Sequence, residues 1–352
     1  MITSVQLNNI IASMSLSVLK RIDRKDLWEE TFGKLPYRPV VYSNSSLDYQ
    51  YAYQYGHGGK WQDISLIIYW DNKPVALWPL SYSFKDGQSK LTSQGLPVLP
   101  PVFVADCPAI SRKRIIKSCQ DLANTISVEA EMGSWVSGES FDESLGMSDW
   151  HIESMMRDAS CQLRHELYLD LRQDLAEIKR NFRRRYKSLI VSGSRMWAVS
   201  VLDAANEDIW QEFKELHLKV SGRVTRSDET WAMQHQDIVR QCAFLVLLRN
   251  ADGNMVGGGF FSFTSDEGLY AVGAYDRTLF DKPLGHVVQY RAIEVLKKRG
   301  VRWYKIGARP FISDAPRPTD KEISIAEFKQ GFASHVFPHY DVTHKVMHDE
   351  TT

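Results

Sequence analysis

Four cysteines in 352 residues, Cys107, Cys119, Cys161 and Cys242, leave little room for thiol-based architecture. No two of them stand in CxxC spacing, so a structural zinc site is not expected, and free buried thiols in a reducing compartment are. No run of about 18 apolar residues occurs, so no helix is expected to span a membrane. The first residues contain Asn8 and Asn9 and lack the basic start and apolar stretch of a secretion signal. A cytoplasmic location is therefore expected. Charge of one sign is not in excess either. Lys+Arg and Asp+Glu both number 43, and the formal net charge is zero. A dedicated nucleic-acid binder usually carries a basic surplus, so DNA is not an expected partner, although a local basic groove is compatible with neutrality. P-loop, GxGxxG and HExxH patterns are missing, as is any clear Ser-His-Asp order. Phosphate-loop hydrolysis, dinucleotide redox chemistry, zincin chemistry and serine-nucleophile chemistry lose their usual signatures.

What is present is enough apolar material, 43% of the chain, for two cores. Ile64–Trp70 reads as a strand, Asp71-Asn72-Lys73-Pro74 as a turn, and Val75–Tyr82 as the second arm of a hairpin. Leu96–Phe103 is proline-rich and extended, which suits a sheet edge. Residues 111–126 carry Ile115, Ile116, Cys119 and Leu122 on one helical face. The same order of element types returns later. Phe244–Leu248 is an apolar strand, Asp252-Gly253 a turn, and Met255–Phe261 a glycine-rich strand. A further strand surrounds Gly268–Asp276, and a helix starts near Leu284. Its stripe is Leu284, Val287, Val288, Ala292, Val295 and Leu296. Then come a short strand at Trp303–Gly307 and the segment Ile325–Phe332. An α/β (α+β) unit repeated in tandem is the expectation. Its copies are 1–165 and 166–345, residues 171–190 form a helical connection, and 346–352 are a flexible tail.

Three stretches could carry chemistry. Arg180-Asn181-Phe182-Arg183-Arg184-Arg185-Tyr186-Lys187 holds five cations in eight residues. On one continuous helix Arg180, Arg183, Arg184 and Lys187 share a face, where guanidinium forks suit phosphate. A solvated face balanced by Asp174 and Glu177 is the alternative. The helix from Leu284 places Gly285, His286, Gln289 and Tyr290 in its first turns, where free N–H groups favour an anion. A single glycine in Asp281–His286 makes a poor pyrophosphate cradle. In the last stretch Ile325, Phe328 and Phe332 fall at i, i+3 and i+7, which sets Lys329 beside a buried stripe. Lys329 either holds a substrate carboxylate or phosphate, stabilises an oxyanion, or carries its charge out to water. His217 and Asp106 are isolated candidates for a general base.

The set Tyr168–Leu171, Arg183–Lys187, Gly257-Gly258-Gly259-Phe260, Tyr270–Ala274, Tyr304-Lys305-Ile306-Gly307 and Phe328-Lys329-Gln330-Gly331-Phe332 resembles FemAB-like proteins of the GNAT superfamily. The resemblance spans 165–335 and, more loosely, 40–130. It implies two tandem GNAT-like domains, the first degenerate, each a mixed and mostly antiparallel sheet flanked by helices. It implies direct transfer of an acyl or aminoacyl group to an amine of a cell-surface glycan or peptidoglycan-type precursor. The donor would be acyl-CoA or aminoacyl-tRNA, with no metal. By position it assigns Lys329 to substrate binding or oxyanion stabilisation, Arg185 with its neighbour Arg184 to acceptor phosphate, and Asp106 to the aspartate of the first domain; together with the candidates read from the residues, catalysis falls to Lys329, His217 and Asp106. Arg184, Arg185, Lys187, Gln289 and Tyr304 fall to substrate binding, and Gly285 and His286 to the donor. The partners so implied are a small glycan precursor and aminoacyl-tRNA, with peripheral proximity to a membrane. A non-catalytic protein of the same fold that binds a nucleotide-sugar or glycan is the competing expectation.

Overall fold

A computed structural model describes residues 2–144, 146–157 and 159–346. The chain divides into two compact units, Met1–Leu163 with His339–Thr352, and Arg164–Pro338. The residues from His339 that the sequence reading gave to the second copy thus return to the first. There Val342–Lys345 run antiparallel to Ser134–Ser137. Beyond Val346 the expected tail lies outside the described residues.

In the first unit, Leu66–Trp70 and Lys73–Trp78 pair as the hairpin foreseen. Asp71 and Asn72 both take left-handed backbone (φ 48 and 59), which matches the twist of a two-residue turn. The second arm does not continue to Tyr82. It breaks after Trp78, and Ser81–Lys85 joins a separate three-stranded sheet between Lys60–Asp63 and Gln88–Thr92. The helix Ala109–Glu129 buries Ile115, Ile116, Cys119, Leu122 and Ile126 in the core of this unit. The thiols are not uniformly buried: Cys107 and Cys119 are, Cys242 is half-buried and Cys161 is exposed.

The second unit is built on strands β1 (Ala159–Asp170, from Arg164 onward), β2 (Ala198–Leu202), β3 (Ala243–Arg249), β4 (Met255–Phe263), β5 (Glu267–Tyr275) and β6 (Trp303–Ala308). Its helices are α1 (Leu175–Asn181), α2 (Arg184–Met196), α3 (Glu207–Ser221), α4 (Asp228–Val239), α5 (Leu284–Lys298) and α6 (Asp320–Gln330). The strand order is β2-β3-β4-β5-β6-β1. All pairs are antiparallel except β5 with β6. The two-residue period of β3 explains the layers. Phe244, Val246 and Leu248 pack in one core with α5, and Leu245 and Leu247 pack in another with Trp210 and Phe213 of α3. The sheet is therefore covered on both faces. The glycines of β4 let both layers close in: a Cβ on Gly258 would lie 3.1 Å from the Phe213 ring, and one on Gly259 2.8 Å from Val288.

Candidate functional site

Strands β5 and β6 pair in parallel at three positions, Glu267↔Trp303, Gly268↔Tyr304 and Leu269↔Lys305. Beyond these β5 runs on to Tyr275 and β6 to Ala308 with no ladder between them, so the two strands splay. The divergence coincides with two irregularities. β5 bulges at Ala271, which has no partner in β4, because Phe260 pairs with Val272 and Phe261 with Tyr270. β6 slips against β1 between Lys305 and Gly307. The facing edges of the split, Tyr270–Tyr275 and Ile306–Ala308, are left without strand partners for their backbone groups on that side.

Lys329, from the last turn of α6, reaches into this split. Its ammonium stands 5.4 Å from the centre of the Tyr270 ring. A Cβ on Gly307 would lie 2.6 Å from Lys329 Nζ, and Gly307 has φ +137, a conformation side chains rarely take. Gly307 thus leaves the volume that the ammonium fills. Burial holds the Lys329 pKa below its ordinary value. No carboxylate pairs with it among the described residues. A desolvated, uncompensated cation interacts strongly with any negative charge that forms beside it. Tyr270 is pushed up to about 12 by burial, and its hydroxyl shares a hydrogen bond with that of Tyr275 (3.1 Å). Both phenols are neutral near pH 7.

The stripe expected on α6 is only partly realised. Ile325 is 45% exposed and Ala326 is buried in its place. Phe328 and Phe332 do turn inward, with ring contacts to Tyr186, whose hydroxyl donates to Phe328 O at 3.0 Å. The glycine of Phe-Lys-x-Gly-Phe has a direct cause: a Cβ on Gly331 would stand 2.2 Å from Tyr186 Cε2.

The basic stretch is not one helix. α1 ends at Asn181, and Phe182 and Arg183 are extended (ψ 152 and 129) before α2 begins at Arg184. Arg180 and Arg184 therefore do not share a helical face. The break is tertiary: Arg183 N–H donates to Gly331 O at 2.9 Å, and Phe182 is buried against Phe332. Arg184 and Arg185 are exposed in the first turn of α2, with Lys187 half-buried behind them. That turn holds no acid and no side-chain cap. Three cations beside the positive end of a helix repel it and one another unless an anion joins them.

Neither Gly285 nor His286 is a free ligand group. Gly285 packs on the Phe328 ring, and the His286 ring meets Tyr186 edge-on at 4.6 Å and Phe328 at 5.0 Å. Burial, helped by the Arg185 guanidinium, holds the His286 pKa down to about 4. The α5 N-terminus is also without a side-chain cap, so two uncapped helix starts meet around Tyr186 and His286. Gln289 and Tyr304 are enclosed, each with 0% exposure, and the Tyr304 hydroxyl donates to Gln289 Oε1. They form the floor behind Tyr270 rather than a surface open to a substrate. His217 on α3 is half-buried, edge-on to Trp231 at 5.2 Å, and burial with the Arg226 charge lowers its pKa. Asp106 is exposed in the first unit. The sequence reading passed over Gly307 as a shaping residue and Tyr270 as the ring under the ammonium. Both stood within motifs it had noted. Among the described residues no three His, Cys, Asp or Glu side chains gather as a metal site, and no helix is long and apolar enough to cross a membrane.

This architecture has counterparts among solved structures. FemX superposes with a TM-score of 0.65 at 12% identity, over 93% of this chain and 97% of that one. The fold is that of FemX and of tandem GNAT proteins. A tandem GNAT protein from the clavulanic acid biosynthesis pathway gives 0.50 at 13% identity, over 96% and 100%. A C-terminal domain from Agrobacterium fabrum, described as that of a lysylphosphatidylglycerol synthetase, gives 0.57 at 11% identity, over 92% and 92%. No family model matches the chain, and no curated protein matches its sequence.

Proposed function

We propose that the protein is an N-acyltransferase that moves an acyl or aminoacyl group to an amine of a cell-envelope precursor, a glycan or a peptidoglycan-type intermediate. The observation that carries this reading is the open split between β5 and β6 with the desolvated Lys329 ammonium across it. The names of two structural counterparts, FemX and a lysylphosphatidylglycerol synthetase domain, favour the aminoacyl and envelope side of the class.

In the reaction, the acceptor amine attacks the carbonyl carbon of the donor while both are bound. A C–N bond forms as the C–S bond of a thioester or the C–O bond of an aminoacyl ester breaks. Charge gathers on the carbonyl oxygen in the transition state, and Lys329 is the group suited to receive it. The proton lost by the amine passes to a base. His217, kept neutral near pH 7, and Asp106 are the two proposed carriers. Arg184, Arg185 and Lys187, with the uncapped starts of α2 and α5 beside Gly285 and His286, hold the phosphates of the donor or the acceptor. Gln289 and Tyr304 fix Tyr270 from beneath. A cytoplasmic location, where both kinds of donor are made, accords with this reading.

The test is product detection by mass spectrometry after incubation with acetyl-CoA or aminoacyl-tRNA and a UDP-linked amino sugar or a lipid-linked precursor. Lys329→Met should lower turnover by about 10²–10³-fold, the usual loss when one oxyanion donor is removed. Unchanged turnover in that variant would remove Lys329 from the chemistry. A thermal shift with one donor type and not the other identifies the donor.

A further inference from the structure

The first unit contains a recess of about 260 Å³ that the transfer chemistry does not use. Its floor is one face of the sheet Lys60–Asp63, Ser81–Lys85 and Gln88–Thr92. The register places Trp61, Ser83 and Lys90 in one row across the three strands and pairs Lys85 with Gln88 in the next. Side chains alternate along each strand, so these residues share a face with Thr92. The C-terminal end of the helix Asn44–Gly56 supplies Gln54 and His57, and Lys60 stands at the rim.

The chemistry of this face is unusual for a sheet next to a helix. It presents hydroxyls, amides and ammoniums in place of apolar packing residues. Three lysines line the recess against one carboxylate, Asp86. Lys85 donates to His57 O at 2.7 Å, whereas Lys60 and Lys90 have no ion pair among the described residues. Ser83 lines the recess, and its hydroxyl has no hydrogen-bond partner among the described residues, so it is free to bond a ligand there. Two features fix the walls. Trp61 Nε1 donates to Gln94 Oε1 at 3.1 Å, which orients the indole. Gln54 packs so close to Gly95 that a Cβ there would meet its Nε2 at 2.2 Å.

We propose that this recess is an anion-binding site for a phosphorylated small polar molecule of about monosaccharide size. Lys85 and Lys90 would hold the phosphate, and Ser83 and Gln54 would bond to the polar body beside Trp61. The volume lies just below the usual range of small-molecule pockets, so it suits a sugar phosphate and not a dinucleotide. The phosphate could belong to a free metabolite or to a lipid headgroup. The chemistry is shared, and the experiment separates the two.

Full-length protein is titrated at low salt with glucose 6-phosphate by calorimetry, and is floated with vesicles containing phosphatidylglycerol. Lys85→Glu and Lys90→Glu should each weaken binding at least tenfold, and Lys73→Glu, an exposed turn lysine outside the recess, should not. Binding of glucose 6-phosphate with this pattern identifies a free phosphorylated ligand. Vesicle binding with the same pattern identifies a headgroup. Loss of binding to the same extent in Lys73→Glu, no effect of either recess variant, or no binding of either probe at millimolar concentration overturns the proposal. None of these readouts depends on turnover, so the site stands or falls separately from the transferase reading.

Discussion

Replacing Gly307 by alanine tests the relation between the split and its lysine. Two costs follow from the geometry. The first is conformational. At φ +137 a residue with a Cβ is strained, and such positions cost about 1–3 kcal/mol. For a unit the size of Arg164–Pro338 each kcal/mol lowers the melting temperature by about 2–4 °C, so a fall of roughly 2–12 °C is expected. The second cost is steric and local. The new methyl carbon would stand 2.6 Å from Lys329 Nζ, and because the ammonium ends a flexible chain, it moves in preference to the backbone. The stability loss should therefore be nearly the same in a Lys329→Ala background, where nothing is left to collide. Turnover should behave differently. Gly307→Ala should cost most of the activity in the native background and add little once Lys329 is absent. Calorimetry and product assays on the four proteins of this cycle supply the numbers. A Gly307→Ala variant with unchanged melting temperature refutes the strain argument. Additive activity losses refute the claim that Gly307 acts through Lys329.

Three further outcomes are expected. Gly331→Ala meets the Tyr186 ring at 2.2 Å on ordinary helical backbone (φ −64), so the loss is overpacking, about 1–3 kcal/mol by denaturant titration, and Tyr186→Leu should recover part of it. His286 is held at about 4 against an ordinary 6.5, so the unfolded chain binds the extra proton first as the solution is acidified. Stability from this group is complete above pH 6.5 and declines as pH falls toward 4. The decline is about 1–2 kcal/mol after allowance for solvent at the ring, and His286→Phe should flatten it in a pH series of melting temperatures. Arg184→Ser with Arg185→Ser should weaken binding of a phosphate-bearing donor and reduce the dependence of that binding on salt, read by titration at several ionic strengths.

The parts of this molecule legible from sequence are those written in local pattern. The helix from Leu284 carries its apolar stripe openly, and α5 begins where that stripe begins, at Leu284. The hairpin at Asp71-Asn72 is announced by its turn residues. Other features depend on partners far along the chain. Nothing in Asn181-Phe182-Arg183 is a helix breaker. The break exists because Gly331, roughly 150 residues later, accepts from Arg183. Periodicity on α6 pointed to Ile325, but the helix turns Ala326 inward. Gln289 and Tyr304 have the polar groups of binding residues, but both are enclosed in the unit, where the Tyr304 hydroxyl donates to Gln289 Oε1 and Gln289 Nε2 is left without a partner among the described residues. The split itself has no local signature, since a strand that loses its neighbour looks the same in sequence as one that keeps it.

That loss of a neighbour has a consequence for recognition. From Tyr270 on one side and Ile306 on the other, two strand edges face each other with no ladder between them among the described residues. An extended molecule bearing amide groups can thread between them as a surrogate strand. A purely alkyl arm of equal length would offer those edges no partner, at about 1–3 kcal/mol for each main-chain group left unpaired where water is excluded. Such selectivity is exercised by the peptide backbone, so an alanine scan of the strand side chains would leave it intact. Replacing a backbone amide by an ester in β5 or β6 would expose it.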